Sequence, residues 1–279
     1  MISAISKIII LILLLVFTSG AQTSLQNQFK IASQLYESEN YFDAVTEFKR
    51  LLFFDSNNEY SFPANYYIGE SYKAGGRFSD AVRHFILAEL SAESIDEIYN
   101  AKIGNIKTNI LRRTTDRSIR LIDEMLNDAR FFDKKNELIY WKGWSYIFSG
   151  KWKEASEEFY RINPDHELYR LTLSIEDTLY SESLAKILSY AIPGAGQFYT
   201  GEYVSGLLSL GWNVLWGYLS INAFIEERVF DGLVITNFLW LRFYNGNIHN
   251  AEKFAVEKNN EIVNRALDFL QYNYMGEKP

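Results

Sequence analysis

The stretch "GRFSDAVRHF", Gly76 to Phe85, spaces an aromatic, a small residue and a second aromatic as Phe78, Ala81 and Phe85. Two other stretches repeat it: "NYFDAVTEF" from Asn40 to Phe48 and "GKWKEASEEF" from Gly150 to Phe159. In each, an alanine (Ala44, Ala81, Ala155) precedes a phenylalanine by four positions, which places both on one face of a helix. The alanine interval is 81 − 44 = 37 residues and then 155 − 81 = 74, twice as long. A degenerate unit is therefore predicted between the second and the last, with its small residue at Ser118 and Ile122 following. Upstream, Ala32 and Leu35, Gly69 and Tyr72, and Gly143 and Tyr146 form a second set, again a small residue and a large one on one helical face. Glu39-Asn40, Gly75-Gly76 and Ser149-Gly150 separate the two helices of each unit, glycine being suited to the left-handed turn that ends a helix.

This pattern resembles the tetratricopeptide repeat, a helical hairpin with Gly or Ala, Tyr, Ala and Phe at such offsets. The likeness covers roughly residues 25–165, with three good units and a poor one around 99–130, where Gly104 stands two residues from its expected place. It implies an α-solenoid whose inner face, lined by the first helix of each pair, holds peptides. Carried over residue by residue, the inward positions are Phe29, Ser33 and Tyr36, then Tyr66, Glu70 and Lys73, then Tyr140, Trp144 and Ile147. Tyr36, Tyr66, Glu70, Lys73, Tyr140 and Trp144 are the peptide-binding candidates. The plainer reading, rings packed between neighbouring helices, stays open beside it.

The carboxyl-terminal part reads differently. Tyr203 to Ile225 is uncharged throughout and, at ~1.5 Å per residue, reaches about 34 Å, enough to cross a bilayer. A second apolar stretch from Val229 carries Asp231 and Arg242 near its ends, and "EER" alone links the two, favouring an antiparallel pair. Ser205, Gly206, Ser209, Gly211 and Gly217 allow close helix packing, and Asn213 is expected to bond to Asn237 across it. Ahead of the pair stands "PGAGQFYTGEY". Pro193 is expected to stop the preceding helix, Gly194 and Gly196 to make a tight reversal, Gln197 to satisfy freed backbone groups, and Tyr199 and Tyr203 to sit among lipid headgroups.

Pro193, Gly194, Gly196, Gln197, Phe198, Tyr199 and Gly201 resemble the opening of two-helix membrane hairpin domains of bacteria, which begin Pro-Gly-x-Gly-Gln. Tyr244, Gly246, Asn247 and Ala251 resemble their closing Tyr-x-Gly-Asn and small-residue helix, so the likeness covers about residues 185–258. It departs from a clean hairpin at the charges of the second helix, and it implies a location more than an activity. A phosphate-cradling loop is the weaker reading, because the glycine spacing is wrong and no strand precedes. Beyond it, residues 248–274 repeat apolar positions at Ala251, Ala255, Ile262, Ala266 and Leu270 as an amphipathic tail.

The first residues pair Lys7 with an apolar core from Ile8 to Phe17 and small residues before Gln22, the layout of a secretory signal cleaved after residue 21, with an uncleaved anchor as the alternative. A net charge of −7 without clustered Lys or Arg argues against nucleic acid. The absence of cysteine removes disulfides, a thiolate nucleophile and a lipidated cysteine. His84, His166 and His249 lie in separate segments without ligand spacing, so neither a metal nor a cofactor is expected. Asp43, Glu47, Glu157 and Glu158 read as a solvated face, and no nucleophile elbow occurs, so no enzyme is expected.

The expectation is an all-α chain: a signal (1–21), a tetratricopeptide-like α-solenoid (22–180), a transmembrane hairpin (181–247) and an amphipathic tail (248–279). The implied role is a non-catalytic scaffold of the inner membrane, its repeats facing the periplasm and binding a protein or peptide. The alternative is a soluble exported protein whose apolar helices are buried internally or in an oligomer.

Overall fold

The second helix of each repeat begins where the period places it: α2 (Tyr41–Phe54), α4 (Phe78–Leu90), α6 (Thr115–Leu126) and α8 (Trp152–Ile162) start 37 residues apart. These helices belong to a computed structural model that describes residues 24–279; the expected signal segment lies outside the described residues. The first helices are α1 (residues 24–37), α3 (Ser61–Ala74), α5 (Ile95–Leu111) and α7 (Lys135–Phe148), the last preceded by a 3-10 turn at Ala129–Lys134. Consecutive helices pack as neighbours along the unit, the arrangement of a helical-repeat array. No strand occurs among the described residues, so the fold is all-α.

Each pair turns through the same device. Glu39, Gly76, Arg113 and Gly150 all take positive φ, between 61° and 73°. The amide after each of them donates back to a carbonyl five residues earlier: Asn40 to Leu35, Arg77 to Tyr72, Thr114 to Asn109 and Lys151 to Tyr146. This is the left-handed helix stop that satisfies otherwise orphaned carbonyls. Only two of the four positions hold glycine, so the degenerate third unit makes the turn with Arg113 under strain. Arg113→Gly is expected to raise stability by about 0.5–1 kcal/mol, read as a higher thermal midpoint, because a left-handed L-residue costs ~1–2 kcal/mol and glycine gives part of that back as chain entropy.

The small-and-large ladder closes the pairs. Ala44, Ala81, Ser118 and Ala155 are fully buried, as are Phe48, Phe85, Ile122 and Phe159 four residues on. Ser118 bonds to Ser145 at 2.8 Å, a contact that a serine-for-alanine exchange makes available. Gly69, within the same pair, lies against Phe85, where a Cβ would stand 3.0 Å from the ring. Gly104 lies against that same ring from the next pair, with an implied Cβ at 2.4 Å. Its displacement from the repeat position is thus a fit to the preceding unit's phenylalanine rather than a lapse. α5 also begins three residues ahead of the period, because Ser94 and Glu97 form a reciprocal cap, Glu97 N–H donating to Ser94 Oγ at 3.2 Å.

The chain divides into two compact units, one reaching Arg170 and taking back Glu277–Pro279, the other Leu171–Gly276. The boundary falls within α9 (Glu167–Thr178) rather than at residue 180. The second unit holds α10 (Glu182–Ala191), a short α11 (Ala195–Tyr199), α12 (Tyr203–Ile225) and then one uninterrupted helical path. That path runs as α13 (Val229–Val234), a π-helical turn at Ile235–Trp240 and α14 (Leu241–Tyr272). No helix end falls between the expected hairpin segment (181–247) and the tail (248–279). Asn247 is inside α14, and the tail is the same helix as the second apolar stretch, because no proline interrupts residues 229–272 and its two glycines, Gly232 and Gly246, cost only ~1 kcal/mol each.

Candidate functional site

In the repeat unit, α3, α5 and α7 adjoin one another, so the first helices build one continuous face. Tyr36 and Tyr66 stand there half-buried, each against Tyr67, with ring centroids 5.1 and 5.7 Å away. Burial, with the Glu70 carboxylate second, pushes the Tyr36 hydroxyl up to about 12 and raises that of Tyr66 further, so both remain donors at neutral pH. Glu70 and Lys73 pair at 2.8 Å within the same cluster. Tyr36, Tyr66, Glu70 and Lys73 are therefore brought together.

Trp144 is not part of that surface. It is only 2% exposed, as is Ile147, so its ring is core and presents nothing to a partner. A tryptophan at an inward-facing position is drawn under when neighbouring helices close over it. Tyr140 remains half-buried, edge-on to Phe159 at 5.8 Å. Its hydroxyl donates to the main-chain carbonyl of Glu277, and the Glu277 carboxylate pairs with Lys107. Lys107 also lies 4.4 Å above the Trp141 ring. The chain's own carboxyl-terminal residues thus occupy the face at Tyr140 and Lys107. Its degenerate unit gives Lys107 no signal of its own in the sequence, yet it stands one period after Glu70 and one before Trp144.

His84 lies beside this core, its ring bonded to Asn65 at 2.9 Å. Burial, reinforced by the charges of Lys49 and Arg83, lowers its pKa to about 4. The unfolded chain takes up a proton near pH 6.5 while the folded one does not, so stability is lost as pH falls through that window. With solvent screening allowed for, a loss of about 1 kcal/mol is expected between about pH 7 and about pH 5, and His84→Gln should flatten the profile of chemical denaturation.

In the second unit the two ends of the Pro-Gly-x-Gly-Gln and Tyr-x-Gly-Asn resemblance meet in one buried knot. Gly194 N–H donates to Asn247 Oδ1 at 2.8 Å, and Asn247 Nδ2 donates to the Ser189 carbonyl at 3.1 Å. Gln197 Nε2 donates to the Asn247 carbonyl at 2.9 Å and to its Oδ1 at 3.0 Å. Ser189 Oγ donates to Gln197 Oε1 at 3.2 Å and accepts from Gly196 N–H at 3.1 Å. Both Gln197 and Asn247 have their oxygens and nitrogens assigned by this closed network.

The two glycines have different reasons to be there. Gly194 follows Pro193 at φ +92°, and a Cβ there would stand 2.3 Å from the Gly206 carbonyl oxygen. Gly196 is not a turn residue: it lets α11 touch α10, where a Cβ would lie 2.1 Å from the Ala185 oxygen. Tyr199 points inward, accepting from Ser181 N–H at 3.0 Å and set edge-on to Tyr180, rather than toward headgroups. Tyr244 donates to the Tyr190 carbonyl at 2.7 Å, whereas Gly246 faces open space.

α12 is inverted relative to a helix of a water-soluble core. Its buried residues are Gly206, Asn213, Gly217, Ser220 and Ala223, and its large apolar side chains face out. Val204 is 74% exposed and Leu207 62%. Phe230 and Phe238 on the following helix are likewise exposed. Against that helix, Gly217 takes Trp240, Trp212 stacks on Phe243 at 5.6 Å, and Ser220 bonds to Thr236. Asn213 and Asn237 do not pair: each donates to a carbonyl four residues back on its own helix. By length and composition α12 is the one helix among the described residues able to cross a membrane.

Among the described residues no group of three or more His, Asp or Glu converges as metal ligands would. No family model matches the chain, and neither a curated protein nor a solved structure matches it.

Proposed function

We propose that the protein is an exported, membrane-anchored scaffold of tetratricopeptide-like repeats that binds a peptide or protein segment and carries out no catalysis. The observation that carries this reading is the inverted burial of α12, small and polar residues inward and large apolar ones outward. In water such a surface is unfavourable by ~25 cal/mol per Å² of apolar area, whereas in lipid it costs nothing and the small residues supply the helix contact. The second helix joins α12 as the other arm of a membrane hairpin anchored by the Gln197–Asn247 knot. A signal at residues 1–21 and an even number of crossings then leave the repeats and the carboxyl terminus on the periplasmic side of an inner membrane. The binding role is supported by Glu277, whose main-chain carbonyl and carboxylate are held by Tyr140 and Lys107 as an extended peptide's would be.

Two measurements test the halves separately. Carbonate extraction of native membranes should leave the chain in the pellet; release into the supernatant would sink the anchor. A chain lacking Glu277–Pro279 should bind a synthetic peptide of residues 272–279, and Lys107→Ala should weaken that binding by about tenfold, the worth of a partly shielded charge pair. Equal binding with and without Lys107 would refute the peptide face.

A further inference from the structure

Between α12 and α14 lies a cavity of about 400 Å³ whose polar wall is formed by Ser205, Ser209, Asn213, Arg242 and Asn250. Two of these groups lack what their chemistry demands. Arg242 is exposed, and in the lipid of the membrane reading its charge demands a partner; it has no carboxylate or other hydrogen-bond partner among the described residues, although the acidic side chains Glu202, Glu226, Asp231 and Glu252 of the same unit are all engaged by Lys258, Arg228 and Lys186. Asn213 is 4% exposed and spends its amide N–H on the Ser209 carbonyl at 2.8 Å, leaving a buried Oδ1 without a donor. An unpaired cation and an unsatisfied buried acceptor in one cavity call for a ligand with an anionic part and a donor part.

We infer that this cavity receives the headgroup of a glycerophospholipid, the phosphodiester pairing with Arg242 and a headgroup O–H or N–H donating to Asn213 Oδ1. The inference rests on the membrane reading above. The mouth of the cavity favours a lipid over a free anion: Leu208 is exposed there and the Trp212–Phe243 stack forms an apolar edge along which an acyl chain can lie. The depth of Arg242 agrees. On its side the uncharged run from Gly232 to Leu241 reaches only about 15 Å at ~1.5 Å per residue, against about 34 Å for α12. A bilayer thinned locally to the shorter helix brings phosphates down to Arg242. Arg offers a planar fork matched to phosphate oxygens, and the Asn213 acceptor selects for ethanolamine or glycerol headgroups over choline, which has no N–H or O–H.

The test uses the full chain in nanodiscs of phosphatidylcholine doped with phosphatidylethanolamine or phosphatidylglycerol, with retained lipid counted by native mass spectrometry. Ethanolamine and glycerol lipids should be retained and choline lipid not. Arg242→Gln should reduce retention at least about tenfold, and Arg242→Lys, which keeps the charge but loses the fork, by an intermediate amount. Asn213→Leu should erase the preference over choline lipid. Equal retention by Arg242→Gln, or equal retention of choline lipid by the unaltered chain, overturns the site. Release of the lipid by millimolar inorganic phosphate overturns the lipid assignment in favour of a soluble anion. Vesicle flotation separates the two layers of the argument: a chain that fails to float loses the membrane reading and this site with it, whereas one that floats and holds no lipid loses the site alone.

Discussion

Asn247→Leu should destabilise the second unit by about 3–5 kcal/mol, enough to convert the detergent-solubilised chain from a cooperative thermal transition to one already sensitive to protease at room temperature. Leucine has a similar volume, so the loss is polar rather than steric. The substitution leaves the Gly194 N–H without an acceptor, removes the donor to the Ser189 carbonyl, and deprives Gln197 Nε2 of one of its partners, all at positions closed to water. Each buried group left unpaired costs roughly 1–3 kcal/mol, and the parts are cooperative because Gln197 and Ser189 bond to each other as well. Gly246→Ala, one residue away in the same sequence motif, should act in the opposite direction. A Cβ there meets nothing within 4 Å, so exchanging a mid-helix glycine for alanine should raise stability by about 0.5–1 kcal/mol. Equal effects of the two changes would mean that the knot is not what holds α10, α11 and α14 together.

Phe85→Ala should cost the repeat unit about 4–5 kcal/mol, at the top of the range for removing a buried ring, measured as the free energy of urea unfolding. The position is severe because the ring sits between Gly69 of its own pair and Gly104 of the next. Neither glycine carries a side chain that can swing into the space, so the cavity stays open and spans the joint between two repeats. By the same logic Gly104→Ala alone is disruptive, since its Cβ would lie 2.4 Å from the Phe85 ring. Phe85→Leu combined with Gly104→Ala should be milder than the sum of the two single changes, because the smaller side chain yields the room that the methyl needs. Strict additivity would show that the two residues do not share one packing site.

The ladder of Ala44, Ala81, Ser118 and Ala155 was legible because repetition at one interval is a property of the string itself, and even the degenerate Ser118 follows from arithmetic on the better units. Lys107 was legible in principle by the same arithmetic. Its unit lacks the aromatic and the terminal glycine that mark the others, so only its distance from Glu70 and Trp144 points to it. Arg113 explains how the unit survives: the left-handed turn is imposed by the packing of α5 against α6, and a non-glycine residue tolerates it at a modest cost. For Trp144 the burial matches the plainer of the two sequence readings, a ring packed between helices, since a helical wheel assigns a face but not the depth to which the neighbouring helices cover it.

In the second unit, the glycines, Gln197 and Asn247 announced themselves by type and order, but their partners are fifty residues apart in the chain and no local rule joins them. The expected Asn213–Asn237 pair failed for a local reason: each side chain finds a carbonyl on its own helix four residues back, a bond that needs no second helix to be in register.

The sequence by itself determined the all-helical class, the 37-residue period with its turn positions, and a stretch at Tyr203–Ile225 apolar enough and long enough to cross a bilayer, because these depend on residue spacing and composition along a single helix. Only the tertiary structure decided that Phe85 joins two repeats, that residues 229–272 are one helical path, that Gln197 and Asn247 are one knot, and that Arg242 and Asn213 line one cavity. Those outcomes depend on which distant groups come within bonding distance, and packing between helices sets that distance.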